Sequence, residues 1–96
     1  MDENKKEIPV SDMYLAAALV AYGGEYVRVD KEEEKRYKFI FTDSISQIWI
    51  VEQNNLAKIL NPTLEDVSAK FHSGRLVFPP NYPNALRNIK SALHTR

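Results

Sequence analysis

Residues 14–24, YLAAALVAYGG, carry no charge in a chain whose residues are 27% charged. How this stretch is read decides the fold. A bilayer-spanning helix needs about 20 apolar residues. The uncharged run, Met13 to Gly24, has 12, about 18 Å at the helical rise of roughly 1.5 Å per residue, so its length rules out a membrane span. A secretion signal would fit the hydrophobic length and the preceding Lys5 and Lys6. However, Asp2, Glu3, Glu7 and Asp12 make the leading segment acidic, and no persuasive cleavage site precedes Glu25. A helix explains more. Ser11 or Asp12 supplies an N-cap, Ala and Leu favour helix, and Gly23-Gly24 supplies the left-handed stop. A helix apolar all round belongs in a core, and any side left uncovered would suit a second subunit, hence a homodimer.

Outward from that helix, the 96 residues make one domain, long enough to bury a core without staples. Residues 1–8 read as a mobile charged leader and residues 9–96 as the domain. There is no cysteine, hence no disulfide, thiolate metal site or cysteine nucleophile. This suits a reducing, cytoplasmic setting. The zero net charge hides an asymmetry: residues 1–66 hold all 13 carboxylates against 8 Lys and Arg, and residues 67–96 hold five cations and no carboxylate. Such a skew marks either a basic contact surface or pairing within the folded molecule.

After Gly24 the period changes to two. EYVRVD alternates, with Val27 and Val29 on one side and Tyr26, Arg28 and Asp30 on the other. RYKFIFTD sets Tyr37, Phe39 and Phe41 against Arg36, Lys38 and Ile40. With KEEEK between them as a charged tip, the two runs predict a hairpin. SISQ at 44–47 has the spacing of a capping box, which favours a helix over the following residues. QIWIVEQ, rich in β-branched and aromatic residues, keeps a strand in competition over residues 48–53. Thr63 is placed to cap a helix carrying Leu64, Val67 and Phe71, closed by Gly74. RLVF at 75–78 predicts a third strand, and Asn81 with Pro83 starts a last helix striped by Leu86, Ile89 and Leu93. The expected fold is a two-layer α+β domain of order α-β-β-α-(α)-β-α. Its small antiparallel sheet of about three strands carries helices on one face.

The chemistry-bearing patterns are sparse. There is no phosphate loop, nucleophile elbow or zinc-spaced histidine pair; His72 and His94 are the only histidines. No catalytic residue, metal ligand or cofactor is assigned, and the expectation is a non-enzymatic protein. If the aromatics face inward, the alternation turns Arg28, Arg36 and Lys38 outward beside Tyr26 and Ile40, and Arg75 joins them from the third strand. With Arg87 and Lys90 on the last helix, these cations suit a nucleic-acid backbone. The strongest aromatics lie on the other face, unlike an RNA-recognition sheet. The same face, with Tyr26, Ile40 and Trp49 as contacts, also fits a protein interface or an inhibitor.

Three pieces together, VSDMYLAAALVAYGGEY (10–26), YKFIFTDS (37–44) and GRLVFPPNYPNALRNIKSAL (74–93), resemble a family of small domains of unknown function found in bacteriophages and bacteria. Ile89 stands where that family usually has leucine, and residues 45–73 are longer than its middle helix. The resemblance implies a small intracellular accessory protein, encoded by a phage or other mobile element. It brings no site residues. The partner expected from the sheet face is a nucleic acid or a host or phage protein.

Overall fold

The computed structural model describes residues 6–33 and 36–94. The elements run β1 (Glu7–Val10), α1 (Met13–Ala21), β2 (Glu25–Glu33), β3 (Arg36–Thr42), β4 (Gln47–Glu52), β5 (Asn55–Leu60), α2 (Leu64–His72) and α3 (Tyr82–His94). The class is α+β. A thickness of 20 Å against 42 and 35 Å in the other directions fits two layers.

The uncharged stretch is a core helix. Asp12 caps α1 by accepting from the Tyr14 and Leu15 N–H groups at 2.8 and 3.2 Å. At the other end Gly24 N–H reaches the Leu19 carbonyl at 2.8 Å and Gly23 N–H reaches that of Val20 at 2.9 Å. This is the double bond of a Schellman stop, with Gly23 at φ +91°. Gly24 serves a second purpose, because a Cβ there would stand 2.8 Å from the Leu19 carbonyl oxygen. Ala16, Ala17, Ala18 and Leu19 are all but inaccessible. The alanines let α1 lie close to α3, and Asn81, just before α3, donates from its side chain to the Ala21 carbonyl at 3.3 Å. Only Tyr14, half exposed, offers much of α1 to an outside partner.

The first sheet has the order β1-β3-β2, antiparallel throughout. Phe39 and Phe41 on central β3 are fully buried and join α1, Ile48, Val67 and Ile89 in one core. The sheet's third strand comes from the expected leader: Glu7 and Ile8 pair with Thr42 and Phe41, so the folded part begins before residue 9. In β2 a register shift between Tyr26 and Arg28 corrects the expected facing. The extra residue puts Tyr26 inward, its ring 5.7 Å from that of Phe41, and leaves Val27 exposed. Val29 returns to the core side opposite Phe39.

The middle of the chain departs from the favoured helix. Residues 47–60 form a second, two-stranded sheet. Gln53 and Asn54 both sit at positive φ, 51° and 67°, the geometry of a two-residue turn whose twist matches a hairpin. The β-branched and aromatic run Ile48–Val51 then alternates buried and exposed along β4. Ser44 caps no helix; its hydroxyl accepts from the Glu25 N–H at 2.7 Å. The third strand expected at 75–78 shrinks to a bridge between Leu76 and Ile50 at the edge of β4 away from β5. The α2 capping box, Thr63 with Asp66, forms as its residue types require.

Candidate functional site

The outer face of the first sheet gathers Glu7 and Pro9 from β1, Lys38, Ile40 and Thr42 from β3, and Glu25, Arg28 and Asp30 from β2. Arg28 is held on both sides, by two bonds to the Glu7 carboxylate at 3.0 and 3.1 Å and by Asp30 at 2.9 Å. Those carboxylates raise the guanidinium pKa further above its ordinary value. Thr42, itself buried, donates to Glu25 at 2.7 Å. Among the described residues this face sets three carboxylates, Glu7, Glu25 and Asp30, against Arg28 and Lys38. Ile40, expected outward as a contact, does point that way, but it is only 5% exposed between its neighbours Pro9 and Arg28. Tyr26, expected beside it, is on the core side. The side chain of Arg36 lies outside the described residues; its backbone pairs with Glu33.

The other candidate cations lie elsewhere. Arg75 flanks β4 and pairs with Glu52 at 3.6 Å. Arg87 and Lys90 are exposed on α3, away from its buried Ala85 and Ile89, and α3 has no acidic residue. They lie on α3, whereas Arg28 and Lys38 lie on β2 and β3.

The second sheet is built differently. On its inner side Ile48 and Ile50 are buried. On its outer side the opposed pairs are Gln47 with Leu60, Trp49 with Lys58, and Val51 with Leu56. Leu56 and Leu60 are 65% and 63% exposed, and Val51 and Trp49 are 44% and 38% exposed. Single exposed hydrophobics need no explanation, but a contiguous row marks a contact face. One charge sits within it: the Lys58 ammonium lies over the Trp49 ring, 5.4 Å from its centroid. Trp49, expected as a contact beside Tyr26 and Ile40, lies instead on this second sheet, 38% exposed.

The two edges of this sheet contrast. On the β4 side Val51 N–H donates to Arg75 and Val77 N–H to Trp49, at 2.8 and 2.9 Å. The Tyr22 hydroxyl closes the same seam. It donates to the Val77 carbonyl and accepts from Trp49 N–H at 3.2 Å. Burial pushes the Tyr22 pKa up, and its contact with Trp49 offsets part of that rise. On the β5 side the bond from Asn61 N–H to Ser46 at 2.7 Å fixes the phase of the ladder. By the antiparallel alternation Asn55, Ala57 and Ile59 address β4, whereas the backbone groups of Leu56, Lys58 and Leu60 point away from it. Among the described residues these three make no backbone hydrogen bond outside the hairpin.

A groove of about 530 Å³ lies between β1, the start of α1 and α2, lined by Val10, Leu15, Leu64 and several polar residues. Of its four acids, Asp12 caps α1, Asp43 accepts from the Leu64 N–H at 2.8 Å and Glu7 holds Arg28, with Glu65 the fourth. Among the described residues no cluster of three or more histidine or acidic side chains fits a metal ion, and no helix is long and apolar enough to cross a membrane.

Comparison with protein-family models, curated proteins and solved structures gave no match. The site is thus argued from its geometry. Leu56, Lys58, Leu60 and Val51 escaped the sequence reading because a helix over 44–60 scatters them. The alternation IWIV followed by QN, with NLAKIL beyond, was the signal that joins them.

Proposed function

We propose that the protein is a non-enzymatic binding module that docks another protein through the outer face of the β4–β5 hairpin. The observation that carries this reading is the contiguous exposed row Trp49, Val51, Leu56 and Leu60. Aromatic anchors in an apolar patch are what protein interfaces favour. The lack of cysteine and the resemblance to phage and bacterial domains agree with an accessory role in the cytoplasm. The test is a photo-crosslinking residue placed at Leu56 and, as a control, at Lys38. A discrete adduct from position 56, lost on Leu60→Glu and missing from position 38, is expected. Equal adducts from both positions, or none from 56, would remove the reading.

Nucleic-acid binding is the second reading, favoured by Arg87 and Lys90 on a helix without carboxylates. It requires affinity for a 30-nucleotide DNA or RNA probe that falls steeply with salt and is lost on Arg87→Ala with Lys90→Ala. No binding at low salt would end it.

A further inference from the structure

We propose that the outer edge of β5 accepts an extended peptide segment as an added strand, read by one acidic side chain flanked two residues away on each side by apolar ones. This rests on the docking reading above and names the partner's form.

The first support is the state of the sheet edges. β1 carries Pro9, which removes a backbone donor, and β2 is broken by two register irregularities. The far side of β4 is sealed by Arg75–Val77 and Tyr22. Among the described strands only β5 combines a regular six-residue ladder with outward N–H and C=O groups at Leu56, Lys58 and Leu60. Strand addition uses such an edge: backbone bonds supply affinity, and alternate side chains supply choice.

The second support is the size of the face. Six residues by two strand widths give roughly 20 Å by 10 Å, or about 200 Å². A stable complex of globular partners buries about 800 Å² on each side. The face suits a short segment rather than a second folded domain.

The third is Lys58, the one charge in the row. A second copy laid face to face about a central twofold would bring two Lys58 ammonium groups together. Two β5 edges paired antiparallel would set Lys58 against its own copy or, shifted, against Leu56. Opposed like charges destabilise a pair of strands, and opposed unlike charges favour it. An incoming strand with Glu or Asp opposite Lys58 satisfies that charge, and apolar residues on either side meet Leu56 and Leu60. Residues between them lie beside Ala57 and Ile59, which are only partly covered.

The test uses the full chain and a synthetic ten-residue peptide alternating valine and threonine, with glutamate at the centre of the valine row. Its controls carry lysine, or proline, at that centre. Saturable binding is expected, with slowed amide exchange at Leu56, Lys58 and Leu60. Affinity should fall about tenfold with the lysine peptide, vanish with the proline peptide, and swap its preference on Lys58→Glu. No saturation at millimolar peptide, indifference to glutamate or lysine, or protection centred on α3 would overturn the inference. So would sedimentation showing a dimer with the β5 amides already protected, which would make a second copy the occupant. A position-56 adduct alongside a failed peptide would sink edge pairing alone and leave face docking standing. Loss of both would sink both.

Discussion

The molecule contains two antiparallel hairpins that solve the same problem in opposite ways. Each turns one face to the core: β2–β3 through Val29, Phe39 and Phe41, β4–β5 through Ile48 and Ile50. On its other face β2–β3 covers Ile40 and holds Arg28 between two carboxylates. β4–β5 leaves leucines, a valine and a tryptophan in solvent. A protein selected only to fold has no use for the second arrangement, which raises the risk of aggregation. The difference separates a hairpin that completes the fold from one that presents a surface.

Substitution gives the sharpest contrast. Phe41→Ala removes a fully buried ring and should cost about 3–5 kcal/mol, enough to leave a domain of this size largely unfolded. Leu56→Ala deletes more exposed surface than buried contact and should change stability by no more than about 0.5 kcal/mol. Urea unfolding of the two variants measures both. A Leu56→Ala loss near that of Phe41→Ala would make the hairpin's outer face part of the core.

Next in size is the seam joining the hairpin to the rest. Tyr22→Phe strips a hydroxyl that bonds both Val77 and Trp49 and should cost about 1–2 kcal/mol. It also has a pH signature. Burial raises the Tyr22 pKa in the folded state, so the folded form holds its proton more tightly than the unfolded one. Tyr26 and Tyr82 are raised by burial as well. Stability from these groups is complete below the ordinary tyrosine pKa near 10 and is lost as pH rises through the higher folded values. Urea midpoints from pH 8 to 11 should therefore fall at the alkaline end, less steeply for Tyr22→Phe. Parallel curves would mean that the seam does not depend on this hydroxyl.

What could be read in advance follows the reach of local rules. The caps Asp12 and Thr63 and the Gly23–Gly24 stop were legible because each depends on a few adjacent residues. So was the β2–β3 hairpin, from its alternation. β1 was not, since Glu7–Val10 becomes a strand only by pairing with Phe39–Thr42, some thirty residues away. The β4–β5 hairpin turns on Gln53-Asn54, a weaker signal than Asn-Gly, and Ser44 with Gln47 imitated a capping box. The expected basic face failed because alternation assigns sides but not ion partners. Glu7, on a strand nobody would infer from its own residues, neutralises Arg28.

That weak turn is itself a prediction. Gln53 pays the backbone cost of positive φ that glycine or asparagine avoids. Replacing the pair by Asn-Gly should raise stability by about 0.5–1 kcal/mol, with the exposed row unchanged. A destabilised double variant would show that the turn's side chains hold the hairpin in some other way.

The smallest effect belongs to the outer face of the first sheet. Arg28 lies between Glu7 and Asp30 with all three side chains about half exposed. Water and ions screen such pairs, so their net stabilisation is small. Arg28→Ala should lower the thermal midpoint slightly in low salt, because it leaves two carboxylates unpaired near Glu25. In 1 M sodium chloride, where the screening length is about 3 Å, the difference from the parent should disappear. Leu60→Ala, on the other hairpin, should show no such salt dependence, because what it removes is apolar surface. If the Arg28→Ala defect persisted in high salt, the guanidinium would be acting by packing over Ile40. The charged face would then be a lid on a small secondary core, and the contrast between the hairpins would lie in how each covers its outer side.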